Sequence, residues 1–202
     1  MELQRDVSLK PHNTLSLDVK AAYFVAINCI DDLREARKFC QNKRCPWLLI
    51  GGGSNLVLTQ DFDGLVMFMA MGQVVWPVKK ALENVSESFI VSAQAGYEWD
   101  LLVAESITRG ACGLENLSLI PGQVGAAPIQ NIGAYGVELK HCLDCVQVFD
   151  FDTGKVFELA ADECEFGYRD SVFKRHRGWI VTQVQLSLTY GSKPQVSYGI
   201  IA

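Results

Sequence analysis

Apolar residues in this chain cluster in short alternating or continuous runs and in segments with three-and-four spacing, and their order predicts two lobes. Tyr23 to Ile27 reads as a strand. Leu33, Ala36 and Phe39-Cys40 then recur at helical spacing, behind Asp31 or Asp32 as the expected N-cap. Pro46 to Ile50 is a short buried strand that runs straight into a glycine turn. After the turn Asp61 to Gly64, Leu65 to Ala70 is a third strand, so this lobe reads β-α-β-β and ends near Met71-Gly72. A second lobe opens with a strand from Phe89 to Ala95, in which Phe89, Val91, Ala93 and Ala95 share a face. Trp99, Leu102, Val103 and Ser106 predict a helix stopped by Gly110. Leu143 to Leu159 is a hairpin turning at Asp152 to Gly154. In Trp179 to Tyr190, Ile180, Thr182, Val184, Leu186 and Leu188 fall on one side of a strand. The class is α+β, with mixed sheets in two lobes.

Composition narrows the setting. The 202 residues are 49% hydrophobic and 20% charged, an ordinary globular balance. The formal net charge is −5, and the longest basic cluster is Phe173 to Arg177, which argues against nucleic acid as a partner. The opening residues, "MELQRDVSLKPH", lack the basic and apolar regions of a signal peptide, and Leu65 to Met71 is too short to span a bilayer. A cytoplasmic protein is expected. Seven cysteines, an odd number, are scattered through apolar segments, and most read as small core residues in a reducing compartment. Cys142 and Cys145, preceded by His141, admit zinc or redox chemistry, but no second pair stands at ligand spacing. The segment reads as the start of a strand, and no metal is expected.

Three stretches carry candidate chemistry. Gly51, Gly52, Gly53, Ser54 and Asn55 can turn backbone N–H groups onto an anion, a nest able to hold a pyrophosphate without lysine. The dinucleotide fingerprint fails at Leu56 and the P-loop pattern is absent, so a simple tight turn is the competing reading. In "LSLIPGQVGAAPIQNIGAYG", Gly122, Gly125, Gly133 and Gly136 allow close approach while Pro121 and Pro128 stiffen the path. Gln130 and Asn131 supply amides and Tyr135 a ring and hydroxyl, which suits a flat ring system with polar edges; a loop packed between lobes is the alternative. In "FGYRDSVFK", Arg169 beside Tyr168 suits a carboxylate or a developing enolate, against a salt bridge to Asp170, Glu163 or Glu165.

Taken in order, "NTLSLD", "GGGSN", "AGYEWDLL", "GLENLSLIPGQVGAAPIQNIGAYG" and "ECEFGYRDSVFK" resemble the UDP-N-acetylenolpyruvoylglucosamine reductase family, flavoenzymes of bacterial peptidoglycan synthesis. The resemblance covers nearly the whole chain. It implies a two-lobed FAD-binding domain over residues 1–190, with lobes of about 1–71 and 72–190, and residues 191–202 as the start of a substrate-binding domain otherwise missing. It places the FAD pyrophosphate at Gly51 to Asn55. Pro121, Gly122, Gly125, Ala126, Ala127, Gln130, Asn131, Gly133, Ala134, Tyr135 and Gly136 would run along the non-covalent flavin. Arg169 would steady the substrate carboxylate and enol, Tyr168 would line the flavin–substrate face, and Tyr198 would close over the sugar-nucleotide diphosphate. The implied reaction uses NADPH to reduce FAD, then passes a hydride to the enolpyruvyl double bond of UDP-N-acetylglucosamine enolpyruvate. A monomer is expected. Ala126 and Ala127 stand where family members often carry hydroxyls, and the chain ends at Ala202, before the family's proton-donating serine and late glutamate. A FAD-holding unit without turnover, or a flavin oxidase sharing the broader fold, are the competing functions.

Overall fold

Two sheets of different construction organise the computed structural model, which describes residues 1–77 and 88–191. In chain order the elements are β1 (Gln4–Ser8), β2 (Lys20–Ile27), α1 (Ile30–Lys43), β3 (Trp47–Ile50), β4 (Phe62–Met69), β5 (Val74–Val75), β6 (Ser88–Gln94), α2 (Trp99–Thr108), β7 (Ala111–Cys112), β8 (Gly133–Ala134), β9 (Val137–Glu138), β10 (Leu143–Asp150), β11 (Val156–Ala160) and β12 (Trp179–Tyr190). The first sheet has the order β1-β2-β4-β3, with β2, β4 and β3 parallel and β1 antiparallel at the edge. The second runs β11-β10-β12-β6-β5 and is antiparallel throughout, with β7 on the far end of β12. β8 and β9 form a separate short ladder.

Local patterning explains most of these elements. α1 buries Leu33, Ala36 and Cys40, one stripe of a helix whose other face is solvated. Two details correct the sequence expectation. The N-cap of α1 is Cys29, still extended at φ −154°, and Asp32 sits inside the first turn. From there its carboxylate accepts the Asn28 and Cys29 N–H groups at 2.9 and 3.3 Å, the acidic half of a capping box. The first lobe also starts one strand earlier than expected. β1 is a polar edge strand, broken by Asp6 at φ 51°, so it carries little alternation to read.

The two sheets share a core. Val25, Met67 and Met69 of the first sheet and Leu33 of α1 pack with Phe149 and Ile180 of the second sheet and with Ala95 and Phe151 at the ends of its strands. A larger cluster within the second lobe gathers Trp99, Leu102, Leu117, Val124, Leu139, Val146 and Val184. Arg37 of α1 reaches across, donating to the Phe151 and Asp152 carbonyls at 2.8 and 2.7 Å. No described helix is long and apolar enough to cross a membrane.

Candidate functional site

β3 delivers the chain at Ile50 into the glycine turn, which faces the 121–126 stretch of the other lobe. A Cβ on Gly52 would stand 3.4 Å from the Gly122 Cα, and the Ser54 hydroxyl donates to the Pro121 carbonyl at 3.4 Å. Gly53 is buried at φ +67°, and a Cβ there would lie 2.2 Å from the His12 carbonyl oxygen. Only glycine fits. A Cβ on Gly125 would fall 2.5 Å from the Ala95 Cβ. Protein backbone and side chains therefore press on Gly53 and Gly125, where a ligand was expected to do so. Both of these contacts lie within a lobe; across the seam it is Gly52 and Gly122 that approach closely, and the cleft forms beside them. Gln123 crosses the seam, its Nε2 donating to the Met69 carbonyl at 3.1 Å.

Along that seam lie three hollows of about 180, 160 and 120 Å³, and Ala126 is a wall of each. The largest is bounded by Ser54, Asn55, Trp99, Pro121, Ala127 and Gln130, among others. Its surface is mainly apolar, with amides from Asn55, Gln123 and Gln130. Lys174 is the one cation among the described residues lining these three hollows. Sequence reasoning did not single out Gln123, Trp99 or Lys174 as lining residues. Their types carry no signal; only the folded seam brings them together.

The remaining expected residues lie elsewhere. Asn131, Gly133, Ala134, Tyr135 and Gly136 line a separate cleft of about 360 Å³ with Tyr168, Arg169, Lys140 and His141. The chain turns between the two clefts at Asn131, in the left-handed region at φ 43° and 1% exposed. Its amide is engaged within the protein, donating to Glu138 Oε2 at 3.1 Å and the Gly167 carbonyl at 3.2 Å and accepting the Lys140 N–H at 3.1 Å. Lys140 pairs with Glu138 at 2.7 Å, and its hydrogen bond holds that carboxyl below the usual range. Arg169, also left-handed at φ 52°, donates Nη2 to the Gly133 carbonyl at 3.1 Å. Two carboxylates proposed to pair with it, Glu165 and Asp170, are held instead by Arg175 at 2.7 and 2.9 Å. The third, Glu163, accepts the Ala160 N–H. Among the described residues Arg169 thus has no ion pair, and it lines a cleft that it shares with Glu138, whose carboxylate Lys140 holds. Tyr168 is 88% exposed beside it. Tyr198 and residues 192–202 lie outside the described residues.

Cys40, Cys142 and Cys164 are core residues, whereas Cys45, Cys112 and Cys145 are half-buried and Cys29 is exposed. Burial pushes the Cys142 and Cys164 thiols up to about 12, far from the thiolate that metal or redox chemistry needs. Cys145, expected at the start of a strand, lies in β10. Among the described residues, no group of three His, Cys, Asp or Glu could hold a metal ion.

Residues 21–160 match the family model described as FAD binding domain. The chain is 44% identical over 200 residues to the UDP-N-acetylenolpyruvoylglucosamine reductases of Pseudomonas putida KT2440 and Pseudomonas aeruginosa PAO1, covering 98% of itself and 58% of each relative. It therefore spans under two thirds of their length. Among solved structures, the UDP-N-acetylenolpyruvylglucosamine reductase of Thermus caldophilus is similar with a TM-score of 0.71 at 30% identity, over 94% of this chain and 63% of that one. The BBE-like 1 protein of Physcomitrella patens shares the fold alone, at 15% identity and a TM-score of 0.63 over 94% of this chain and 42% of that one.

Proposed function

We propose, from the premise that this chain belongs to the FAD-binding domain family, that its interlobe cleft holds FAD without a covalent link. We further propose that the chain is the flavin-holding part of a UDP-N-acetylenolpyruvoylglucosamine reductase, acting with NADPH in peptidoglycan precursor synthesis in the cytoplasm. The carrying observation is the match between the cleft and the two ends of that cofactor. At one end stands a turn without side chains at Gly51, Gly52 and Gly53, where N–H groups can meet a diphosphate. Beside it are walls of methyl size at Ala126 and Ala127 and apolar surface from Ile120 and Ile129, with amides at the edges. The residues fit the group. Two alanines give clearance where hydroxyls would give hydrogen bonds, so the amides of Asn55 and Gln130 carry more of the polar recognition.

Bound FAD would supply the two-electron hydride chemistry. The chain's own groups bind and orient. Ile120 and Ile129 would keep water from one wall of the cleft, and the glycine turn would fix the anionic end. Arg169 offers a permanent, planar charge to a substrate carboxylate and to negative charge developing on it. The second reading, a FAD-holding unit without turnover, is favoured by one observation: Tyr168 and Arg169 are exposed, with no described element covering a substrate beside them. Without that cover, reactants are poorly positioned and water is not excluded.

Titration of the purified chain with FAD tests the shared part of both readings. Quenched flavin fluorescence and a raised Tm are expected; no change at high micromolar FAD would remove the proposal. Anaerobic addition of UDP-N-acetylglucosamine enolpyruvate after reduction then separates them. Oxidised flavin absorbance returning within seconds, with UDP-N-acetylmuramate formed, establishes the reductase; its absence leaves the holding unit.

A further inference from the structure

The segment from His12 to Leu17 lines neither cleft, yet it grips the glycine turn from behind. Asn13 is 6% exposed, and its amide closes this segment on itself. Nδ2 donates to the Leu9 and Leu17 carbonyls at 2.8 and 3.0 Å, and Oδ1 accepts the Leu17 N–H at 2.9 Å. Thr14 is thereby held against the turn, where its N–H and its hydroxyl both donate to the Gly53 carbonyl, at 3.3 and 3.4 Å. The His12 ring packs on Phe24 and Phe68, with centroids 4.8 and 5.0 Å away, while its carbonyl takes the space a Gly53 side chain would need. Three consecutive residues act on one glycine.

The consequence is directional. A trans peptide is planar, with its C=O and N–H pointing opposite ways, and the described residues contain no cis peptide. Drawing the Gly53 carbonyl toward Thr14 turns the Ser54 N–H the other way, away from the clamp. Ser54 and Asn55 line the cleft. Among the described residues, no protein acceptor takes the Ser54 N–H. We propose that Asn13 and Thr14 are positioning residues for the anionic end of the cofactor: they orient the Ser54 N–H to donate to a phosphate oxygen of bound FAD. This rests on the reading that FAD occupies the cleft. It deepens that reading by assigning the "NTLSLD" segment a task that the cleft-lining residues do not show.

The test compares ligands with and without phosphate. Asn13→Ala should weaken FAD by about tenfold, the scale of one hydrogen bond to a charged group, and leave riboflavin binding unchanged. Thr14→Val should lose less, because the Thr14 N–H remains, and Thr14→Ser should restore FAD affinity. In the wild-type chain, titration with inorganic pyrophosphate should move the Ser54 amide resonance; in Asn13→Ala that shift should shrink. Equal losses for FAD and riboflavin would mark a merely structural role and overturn the assignment. If Asn13→Ala does not fold, the exposed Thr14 variants and the wild-type amide titration decide the matter. Wild-type chain that binds no FAD sinks the cofactor reading and this inference with it. FAD binding with a silent Ser54 amide sinks this inference alone.

Discussion

Gly52 and Gly53 are neighbours in a single turn, yet the fold asks different things of them. Gly53 needs a positive φ and has a backbone carbonyl 2.2 Å from where its side chain would start. Gly53→Ala is expected to cost at least the roughly 1–3 kcal/mol of a strained non-glycine backbone, lowering Tm by roughly 2–4 °C for each kcal/mol lost. Gly52 meets only the Gly122 backbone, at ordinary contact distance. Gly52→Ala should therefore leave Tm within about 2 °C, since such surface changes cost roughly 0.5 kcal/mol or less, while weakening FAD by narrowing the cradle. Thermal melts and FAD titrations on both variants check the pair. Loss of stability from Gly52→Ala, or unchanged FAD affinity in it, would remove that residue from the site.

At the scale of elements, the β8–β9 ladder survives on very few residues because polar ties hold it to the loop that carries Arg169. Asn131 bonds the Gly167 carbonyl, Arg169 bonds the Gly133 carbonyl, and Ser171 donates to the Ile129 carbonyl at 2.7 Å. Glu138 joins this set through Lys140 first and Asn131 second, and both hold its carboxyl below the ordinary value. A depressed folded-state pKa favours the folded form above the unfolded-state value, and that contribution fades as pH falls through the lower, folded one. Amide exchange across 131–141 should therefore quicken below about pH 4, ahead of global unfolding. Glu138→Gln should abolish that pH step. A pH profile identical in the variant would show that other carboxylates hold the loop.

On the scale of the whole molecule, the two lobes are tied through Phe149, Phe151 and Ile180, which leave the second sheet to pack with the first. Phe149 is fully buried, so Phe149→Ala should cost about 3–5 kcal/mol. Because the shared core couples both sheets, exchange protection should fall in β2 and β4 as well as in β10 and β12. Protection lost only from the second sheet would mean independent lobes. Since the proposed site is built across the same seam, FAD should protect both sheets, by about 2.7 kcal/mol at a hundredfold excess over Kd.

Hydrophobic periodicity is a property of each short segment, and it alone was enough to place α1, α2, β12 and the β10–β11 hairpin, because one face of each must be buried wherever the segment goes. The order of the quoted motifs likewise sufficed to identify an FAD-binding chain, in agreement with the family match over residues 21–160. What local pattern does not contain is the partner. The parallel pairing of β2, β4 and β3 beside a wholly antiparallel sheet depends on contacts far apart in sequence. So does β1, whose polar face is acceptable only at an edge. The continuous glycine-proline stretch is divided between two clefts because Asn131 turns left-handed and its amide finds Glu138 and Gly167. Arg169 faces a cleft, free of the carboxylates next to it in sequence, because Arg175 reaches Glu165 and Asp170. Which hydrogen-bond donor satisfies which acceptor is a competition settled in three dimensions, and only the tertiary structure decides it.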